Sequence, residues 1–502
     1  MRRAAITALA AAALGVAVPA ARADVLVALK PSAAVPADAK PVAPSLGIWR
    51  VPAAEARRLH GVVASGPDRR MRRFERAAGP TDPLLPQEWW WYAVGADKVQ
   101  PPPAGPGKTV AVIDTGVDVT HPEFSALSVL LLDQQRTSPG PEEHHGTAVA
   151  SVVAAPADGR GMVGVYPGAS LASWDAGGQS LSEVLSGIAD ALQLPGPGVI
   201  NLSVGFDGPA GSSLLRVAVD SAVAADWLVV AAAGNGGANG GPVYPADLPH
   251  VITVGATDRN GNVAPFSSRS RHVDLAAPGV SIVAAVPTWK DPSGFAQLTG
   301  TSFAAPIVSG AAALLWTARP LLDNTQVASI LKSSAVDIDA PGLDGSSGWG
   351  LLDLPAALAT PSPIRDPQEP NDDVALVADG GEFTVGTPAL VDARIHRTRV
   401  QAELDPNEDP ADVYRVFIPS GHELVARLTT GKGVRLGLWG PKTGSIAERK
   451  PAATRDLIGA GAVVKTRNVS SRKGAYYYLA ATLAPGSAAT SYLVSVELRG
   501  GR

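Results

Sequence analysis

The chain has 502 residues, more than one hydrophobic core usually holds, so several domains are expected. Hydrophobic residues make up 46% and charged residues 18%, as in globular proteins, and the lack of cysteine excludes a disulfide framework, thiol catalysis and cysteine-ligated zinc. Residues 1–76 carry 13 Lys and Arg against 5 Asp and Glu, whereas the remainder carries 29 against 41. Such an acidic remainder disfavours nucleic-acid binding.

Residues 1–23 have the pattern of a secretory signal peptide. Arg2 and Arg3 precede an apolar run at Ala4–Val18, and the small residues Ala21 and Ala23 follow. A membrane anchor is the alternative, but the run is too short to span a bilayer comfortably. No later stretch is expected to form a transmembrane helix, so the sequence predicts a secreted, extracellular protein without a membrane anchor.

The sequence pattern of residues 24–78 predicts a small α+β region. Strands are expected at Val25–Leu29 and Leu46–Val51, with a short helix around Ala53–Leu59. An Arg-rich stretch at 68–76 then gives an exposed, easily cleaved segment. An ordinary N-terminal domain is the alternative interpretation.

The region 79–360 alternates short apolar runs with helical patterns. A helix is predicted at Ser182–Leu194, because its apolar residues fall on one face. Strands that are apolar throughout indicate a parallel sheet covered by helices on both sides, hence an α/β fold. The predicted strands are Thr109–Ile113, Val199–Val204, Trp227–Ala233 and Val251–Ala256.

The region 361–502 begins with a Pro-rich linker and then changes its hydrophobic period to two. Apolar residues alternate with others along 434–439 and 492–498. Short alternating strands separated by turn residues predict an antiparallel β-sandwich over about 366–500.

Two motifs place a carboxylate and an imidazole at the opening of the predicted parallel sheet. Asp114 ends the apolar strand in Val110–Gly116, where such a sheet opens its ligand crevice, although a turn or cap role is the common alternative. His145 begins an apolar helical run, and a helix start disfavours its charged form. A capping role, or a functional role for His144 instead, stays open.

A serine and an asparagine complete the candidate site. Ser302 lies in Gly300–Pro306, ahead of a helix predicted at Ile307–Ala318. Because Pro306 fits only the first turn of such a helix, Ser302 should lie near the helix N-terminus. Capping is the commoner role for serine there. Asn235 ends the apolar stretch Ala231–Asn235, and its amide could donate to an oxyanion or form a turn.

Together these motifs resemble the subtilisin-like (subtilase) serine protease family over residues 82–358, including its Asp, His, Ser order. The resemblance implies a parallel sheet flanked by helices and a serine endopeptidase acting on proteins or peptides through an acyl-enzyme. Ser302 would be the nucleophile, His145 the general base and Asp114 its orienting acid. Asn235 and the N–H of Ser302 would form the oxyanion hole.

The resemblance also assigns substrate-binding residues. Ile200–Gly205 is similar to the strand that pairs with an extended peptide, so Ser203, Val204 and Gly205 would line the pocket for the residue before the cut. Val243 falls where the family often has a pocket-floor residue. A valine there implies a shallow, apolar pocket and a preference for small or medium uncharged side chains.

Residues 24–78 resemble a shortened subtilase propeptide, which would inhibit the enzyme until self-cleavage around 75–81. Asp366–Asp372 and Ala411–Val416 resemble the bacterial pre-peptidase C-terminal domain. Four parts are therefore expected: a signal peptide at 1–23, an inhibitor-like propeptide at 24–78, a catalytic domain at 79–360, and a linker with a β-sandwich at 361–502. A monomer is expected, with its own propeptide as a partner.

The resemblance implies no cofactor for the chemistry but allows structural calcium. Glu123 is near a position that often binds calcium in the family, where aspartate is more usual. The acidic run Asp405–Asp412 could bind calcium too, although a solvated turn is the commoner role. The sequence therefore predicts no metal ligand.

Two other functions compete with proteolysis. The first is an inactive subtilase that acts as a binding or adhesion protein, which the filled catalytic positions disfavour. The second is an esterase of the α/β-hydrolase type, which would need Gly-x-Ser-x-Gly and a serine-first order. The motif around Ser302 has neither feature.

Overall fold

The computed structural model describes residues 24–29, 33–43, 48–67, 81–99, 106–133, 144–177, 180–407, 409–447, 453–454, 458–469 and 473–500. The predicted signal peptide, the Arg-rich stretch at 68–76 and the expected cleavage region before residue 81 lie outside these residues. The chain divides into two compact units, Met1–Ala77 and Ala78–Arg502.

The first unit is an antiparallel sheet with the strand order β2-β3-β1-β4 and a one-turn helix. Val27 and Val51 are fully buried in its small core. The helix ends at Ala56, before the predicted end at Leu59, and the chain enters the last strand after Gly61, whose φ is 77°. The elements are β1 Asp24–Leu29, β2 Lys40–Ala43, β3 Ile48–Pro52, α1 Ala53–Ala56 and β4 Val62–Pro67.

The second unit contains a seven-stranded parallel sheet with the order β13-β12-β10-β8-β5-β7-β6. The predicted parallel sheet is thus confirmed, with strand ends differing by one or two residues. Its strands are β5 Thr109–Asp114, β6 Val129–Leu131, β7 Ser170–Asp175, β8 Gly198–Leu202, β10 Trp227–Ala232, β12 Val251–Thr257 and β13 Leu275–Pro278. Two further pairs are antiparallel: β9 Phe206–Asp207 with β11 Val243–Tyr244, and β14 Ile282–Ala285 with β15 Phe295–Leu298.

Helices cover both faces of this sheet. The described ones are α2 Trp89–Ala93, α3 His145–Ala154, α4 Leu181–Ala191, α5 Ser212–Ala224, α6 Thr301–Ala318, α7 Asn324–Ser333 and α8 Leu354–Ala359. Along β5, Val110 and Val112 pack into the core with α3 and α6, whereas Ala111 and Ile113 face α4 and α5. Because successive side chains point to opposite faces, a strand buried on both sides is apolar throughout.

Helix α6 begins at Thr301, six residues earlier than predicted, so Pro306 lies inside the helix and not in its first turn. A proline leaves the carbonyl four residues before it without an intrahelical donor. Here that carbonyl belongs to Ser302, and it accepts a hydrogen bond from Ser203 Oγ at 2.8 Å. This donor, which is distant in the chain, explains why the prediction that Pro306 lies in the first helical turn was wrong.

Helix α6 is also long and apolar enough to cross a membrane by length and composition alone, which corrects the expectation that no later stretch would be. However, 83% of its apolar window is buried inside the protein. The helix is apolar because it lies in the hydrophobic core, where α3 and the parallel sheet cover it.

The C-terminal part contains two four-stranded antiparallel sheets, β16-β23-β18-β21 and β17-β22-β19-β20. Side chains from both sheets share one hydrophobic cluster. The elements are α9 Val374–Val377, β16 Arg397–Leu404, β17 Ala411–Ile418, β18 Glu423–Thr430, β19 Val434–Trp439, β20 Ala453–Thr454, β21 Val463–Arg467, β22 Ala475–Leu483 and β23 Thr490–Arg499.

Candidate active site

Asp114 is the last residue of the central strand β5 and is fully buried. The strands that follow it in the chain lie on both sides of β5, so Asp114 is at the point where a parallel sheet opens a crevice. Its Oδ1 accepts hydrogen bonds from the Thr115 N–H at 2.7 Å and from His145 Nδ1 at 2.8 Å. The carboxylate is therefore fixed by donors from two elements.

His145 is the first residue of α3, and its Nδ1 lies 2.8 and 3.0 Å from the two Asp114 oxygens. Because a carboxylate only accepts, Nδ1 carries the proton and Nε2 keeps a free lone pair. Burial lowers the pKa of His145, but the charge and the hydrogen bond of Asp114 raise it by more, so the net pKa is raised. His144 is the N-cap residue, and His145 is the histidine that contacts Asp114.

Ser302 is the second residue of α6, where backbone N–H groups precede the first intrahelical hydrogen bonds. Its hydroxyl donates to the Ser203 carbonyl oxygen at 3.1 Å, and no hydrogen bond joins it to His145 in the described part of the chain. Ser302 and His145 nevertheless line the same cleft, which has a volume of about 560 Å³. Such contacts are often long or poorly aligned before substrate binds.

A buried polar network beneath Ser302 was missed by the sequence analysis. Ser309 Oγ donates to Asn201 Oδ1 at 2.9 Å, and Asn201 Nδ2 donates to Ser203 Oγ at 3.0 Å. Ser203 Oγ in turn donates to the Ser302 carbonyl. The chain of donors fixes the first turn of α6. Only the apolar setting of Asn201 in β8 hinted at such a partner.

Asn235 also lines the cleft and is held by Thr301. Its Oδ1 accepts from both the N–H and the Oγ1 of Thr301, each at 3.0 Å. Because the backbone N–H must find an oxygen, Oδ1 is turned toward α6 and the amide Nδ2 is left to donate. Thr301, itself 1% exposed, was also missed, since its role depends on a contact 66 residues away.

The predicted substrate-binding residues converge on this cleft: Ser203, Val204, Gly205 and Val243 all line it. A Cβ atom on Gly205 would lie 3.0 Å from Val243 Cγ1, and one on Gly234 would lie 2.8 Å from Val243 Cγ2. Val243 therefore fills the space between Gly205, which follows β8, and Gly234, which follows β10. Gly234 also has φ of 97°, which favours glycine.

Glu123 is buried, and its Oε1 accepts from the Met162 N–H at 3.3 Å. Burial raises the pKa of Glu123 to about 8, and burial likewise raises that of the fully buried Glu88 to about 8. Nearby Asp82 accepts the N–H groups of Asp158, Gly159 and Arg160 with Oδ1. These carboxyl groups are held by the loop at 158–163.

Comparisons with known proteins match the part of the chain that contains the parallel sheet. The subtilase family matches residues 105–350. Subtilisin Savinase of Lederbergia lenta is 39% identical over 272 residues, 52% of this chain and 97% of the relative. Subtilisin DY of Bacillus licheniformis is 38% identical, over 53% of this chain and 96% of the relative. A solved protease structure from Pseudoalteromonas arctica is 27% identical, covering 56% of this chain and 99% of that one, with a TM-score of 0.48.

The parallel sheet with its flanking helices is a subtilisin-like fold, and the protein is a subtilisin-like serine protease. The chain belongs to the subtilase family. Its substrates are proteins or peptides.

Proposed function

We propose that the protein is a secreted endopeptidase in which Asp114, His145 and Ser302 form one catalytic unit. His145 Nε2 takes the proton of the Ser302 hydroxyl as its Oγ attacks the peptide carbonyl, giving a tetrahedral intermediate. His145 then protonates the leaving amine, and an acyl-enzyme on Ser302 remains. Water, activated by the same imidazole, hydrolyses this ester.

The observation that carries the proposal is the Asp114–His145 pair, whose 2.8 Å hydrogen bond leaves Nε2 as the base beside Ser302. Asp114 also stabilises the imidazolium that forms during attack. Asn235 Nδ2 and the Ser302 N–H supply two donors for the oxyanion, and the fixed Oδ1 of Asn235 supports this role. The chemistry needs no cofactor.

For specificity, we expect Ser203, Val204 and Gly205 to line the pocket for the side chain before the cut, with Val243 as its floor. This assignment is supported by the two Val243 methyl groups, which lie beside Gly205 and Gly234 at the cleft. Small or medium uncharged side chains should therefore be preferred. A cleavage profile dominated by Arg, Lys or Glu at this position would contradict this assignment.

The remaining parts follow the family resemblance. Residues 1–23 are assigned as a signal peptide, 24–78 as an inhibitory propeptide, 79–360 as the catalytic domain and 361–502 as a linker and β-sandwich similar to the pre-peptidase C-terminal domain. The sandwich assignment is supported by two antiparallel sheets that share one core. The N-terminus and mass of the secreted active form would test signal removal, propeptide removal and trimming of the C-terminal part together.

A fluorophosphonate probe tests the catalytic assignment against an inactive subtilase that only binds other proteins. The probe should label the wild-type chain covalently, and Ser302→Ala should not be labelled. Ser221→Ala is a matched control, because the Ser221 hydroxyl donates only to the Val217 carbonyl of its own helix α5; it should still be labelled. Equal labelling of wild type and Ser302→Ala, or no labelling of a folded wild type, would contradict the proposal.

A further inference from the structure

A half-exposed tryptophan lies in the turn between β14 and β15, beside the start of α3. Trp289 is 48% exposed, and its indole meets the His144 ring edge-on, with the two ring centroids 6.2 Å apart. His144 directly precedes His145, the proposed general base. A large apolar surface that is open to solvent is therefore separated from the catalytic imidazole by one residue only.

The position of this tryptophan follows from the way β14 packs on α3. At the end of β14, the Ala285 N–H donates to Ser151 Oγ of α3 at 2.9 Å. Four residues further along the chain, Trp289 contacts His144, which lies seven residues before this serine. Seven residues of helix rise about 10 Å, a distance that four extended residues can span. The strand therefore runs back along α3 and brings its turn to the end of the helix that carries His145.

The turn that carries Trp289 is held in place at its base. The Val286 N–H donates to the Gly294 carbonyl oxygen at 2.8 Å, and the same oxygen lies 2.9 Å from Nε2 of the buried His121. Because His121 Nδ1 accepts from the Glu123 N–H at 3.1 Å, Nε2 carries the proton and donates to this carbonyl. A side chain on a turn fixed in this way loses little conformational freedom when it binds a ligand.

Trp289 lies on the side of the catalytic histidine where the leaving part of a substrate must pass. The residues expected to bind the side chain before the cut follow β8 and β10 or lie in β11, and neither Trp289 nor His144 lines that part of the cleft. In the proposed mechanism His145 protonates the leaving amine, so the chain after the cut runs beside this imidazole. The neighbouring indole can therefore contact the leaving peptide.

We propose that Trp289 binds an aromatic or large apolar side chain among the first three residues after the cut, with the His144 ring at the edge of the site. This inference rests on the proposed endopeptidase function and adds to it a preference on the leaving side. An indole offers a broad apolar face, against which aromatic rings pack edge-on or offset. Tryptophan is also enriched among the residues that carry most of the binding energy at interfaces.

Peptides cut at a single bond, verified by mass spectrometry, test the proposal. They carry Phe or Ala in turn at the first, second and third positions after the cut. At one of these positions the wild type should prefer Phe, and Trp289→Ala should lower the Phe-to-Ala ratio of kcat/KM about tenfold. Trp289→Phe should keep most of the preference, because an aromatic ring remains. Tyr92→Ala is the control: Tyr92 is 44% exposed on α2 and edge-on to Trp91, and its loss should leave every ratio unchanged.

A methyl ester with the same residues before the cut separates this site from the catalytic machinery. The ester has no residue after the cut, so the wild type and Trp289→Ala should hydrolyse it with the same kcat/KM. Unchanged Phe-to-Ala ratios in Trp289→Ala at all three positions, or an equal loss on the methyl ester, would overturn the role of Trp289 and leave the endopeptidase function intact. Failure of the folded wild type to hydrolyse either the ester or the peptides would contradict the endopeptidase function itself.

Discussion

Buried polar groups occur at the opening of the parallel sheet and at the junction with the C-terminal sheets, and the two places satisfy them differently. At the sheet opening, the buried Asp114 and Thr301 both have partners in the protein itself, namely His145 and Asn235. At the junction, Asp412 keeps an oxygen without any donor. The polar groups at the first site are therefore paired within the chain, whereas the second site keeps buried carboxylate oxygens without a hydrogen-bond donor. Substitutions of buried and cleft-lining residues test this difference.

The largest effect is expected at the Asp114–His145 pair. Asp114→Asn would present an amide N–H to Nδ1, which holds the wrong tautomer, and should lower kcat about 10⁴-fold. The acid limb of kcat/KM should also move to lower pH in the residual activity, because the charge that raises the pKa of His145 is lost.

Stopped assays from pH 5 to 9 on a peptide amide would measure both changes. Asp118→Asn is the control: its side chain holds a local turn through Thr120, so its kcat should stay near that of the wild type. An Asp114→Asn enzyme with nearly normal kcat would show that the buried pair does not take part in catalysis.

Asn235→Ala should lower kcat about 10²–10³-fold with little change in KM, because the lost donor acts on the oxyanion and not on the bound substrate; this magnitude is taken from subtilisin itself. Asn239→Ala, an exposed asparagine on the next turn of the same loop, should behave as wild type. Steady-state kinetics decides, and a rise in KM at constant kcat would assign Asn235 to substrate binding instead.

Glu88 is a third buried carboxyl group, and a proton can neutralise its charge. Its raised native pKa of about 8 means that the unfolded state loses its proton first as pH rises. The free energy of unfolding should therefore fall between about pH 4.5 and pH 8, by at most about 4–5 kcal/mol from this group.

Glu88→Gln keeps an acceptor for the Val163 N–H but cannot ionise, so its unfolding free energy should fall less over the same pH range. Urea unfolding at pH 5 and pH 8, in the Ser302→Ala background, gives the two differences. Parallel pH dependences for parent and variant would show that Glu88 is ionised in the folded protein.

The smallest effect is expected at Val243. Val243→Gly removes the methyl groups between Gly205 and Gly234, so a substrate with Phe before the cut should gain about tenfold in kcat/KM relative to one with Ala. Matched peptide amides measure this ratio, and an unchanged ratio would place the pocket floor elsewhere.

Much of the active site could be predicted because each residue lies in a short motif of its own. Asp114 ends an apolar strand and His145 begins a helix, and both features are visible within about ten residues. Thr301 and Ser309 could not be assigned, because their partners Asn235 and Asn201 are distant in the chain. Local patterns reveal which element carries a residue but not which element it contacts.

The same limit explains the two clearest errors. Proline was expected only in a first helical turn, but Ser203 supplies the donor that lets Pro306 lie inside α6. The acidic run Asp405–Asp412 was interpreted as a solvated turn, yet its last residue, Asp412, lies in β17, pairs with Ala481 of β22 and is fully buried. In both cases a tertiary contact overrode the usual behaviour of the residue type.

We propose that Asp114, His145 and Ser302 act as one unit. A comparison of kcat between the single alanine variants and the triple alanine variant measures whether they do. If the three groups act only together, losing one already removes the contribution of all three. The triple alanine variant should therefore be no slower than Ser302→Ala alone. Its kcat should be about 10⁶-fold below that of the wild type, a magnitude taken from subtilisin itself. If the losses of the single variants multiplied in the triple variant, the three side chains would act independently and the account would be wrong.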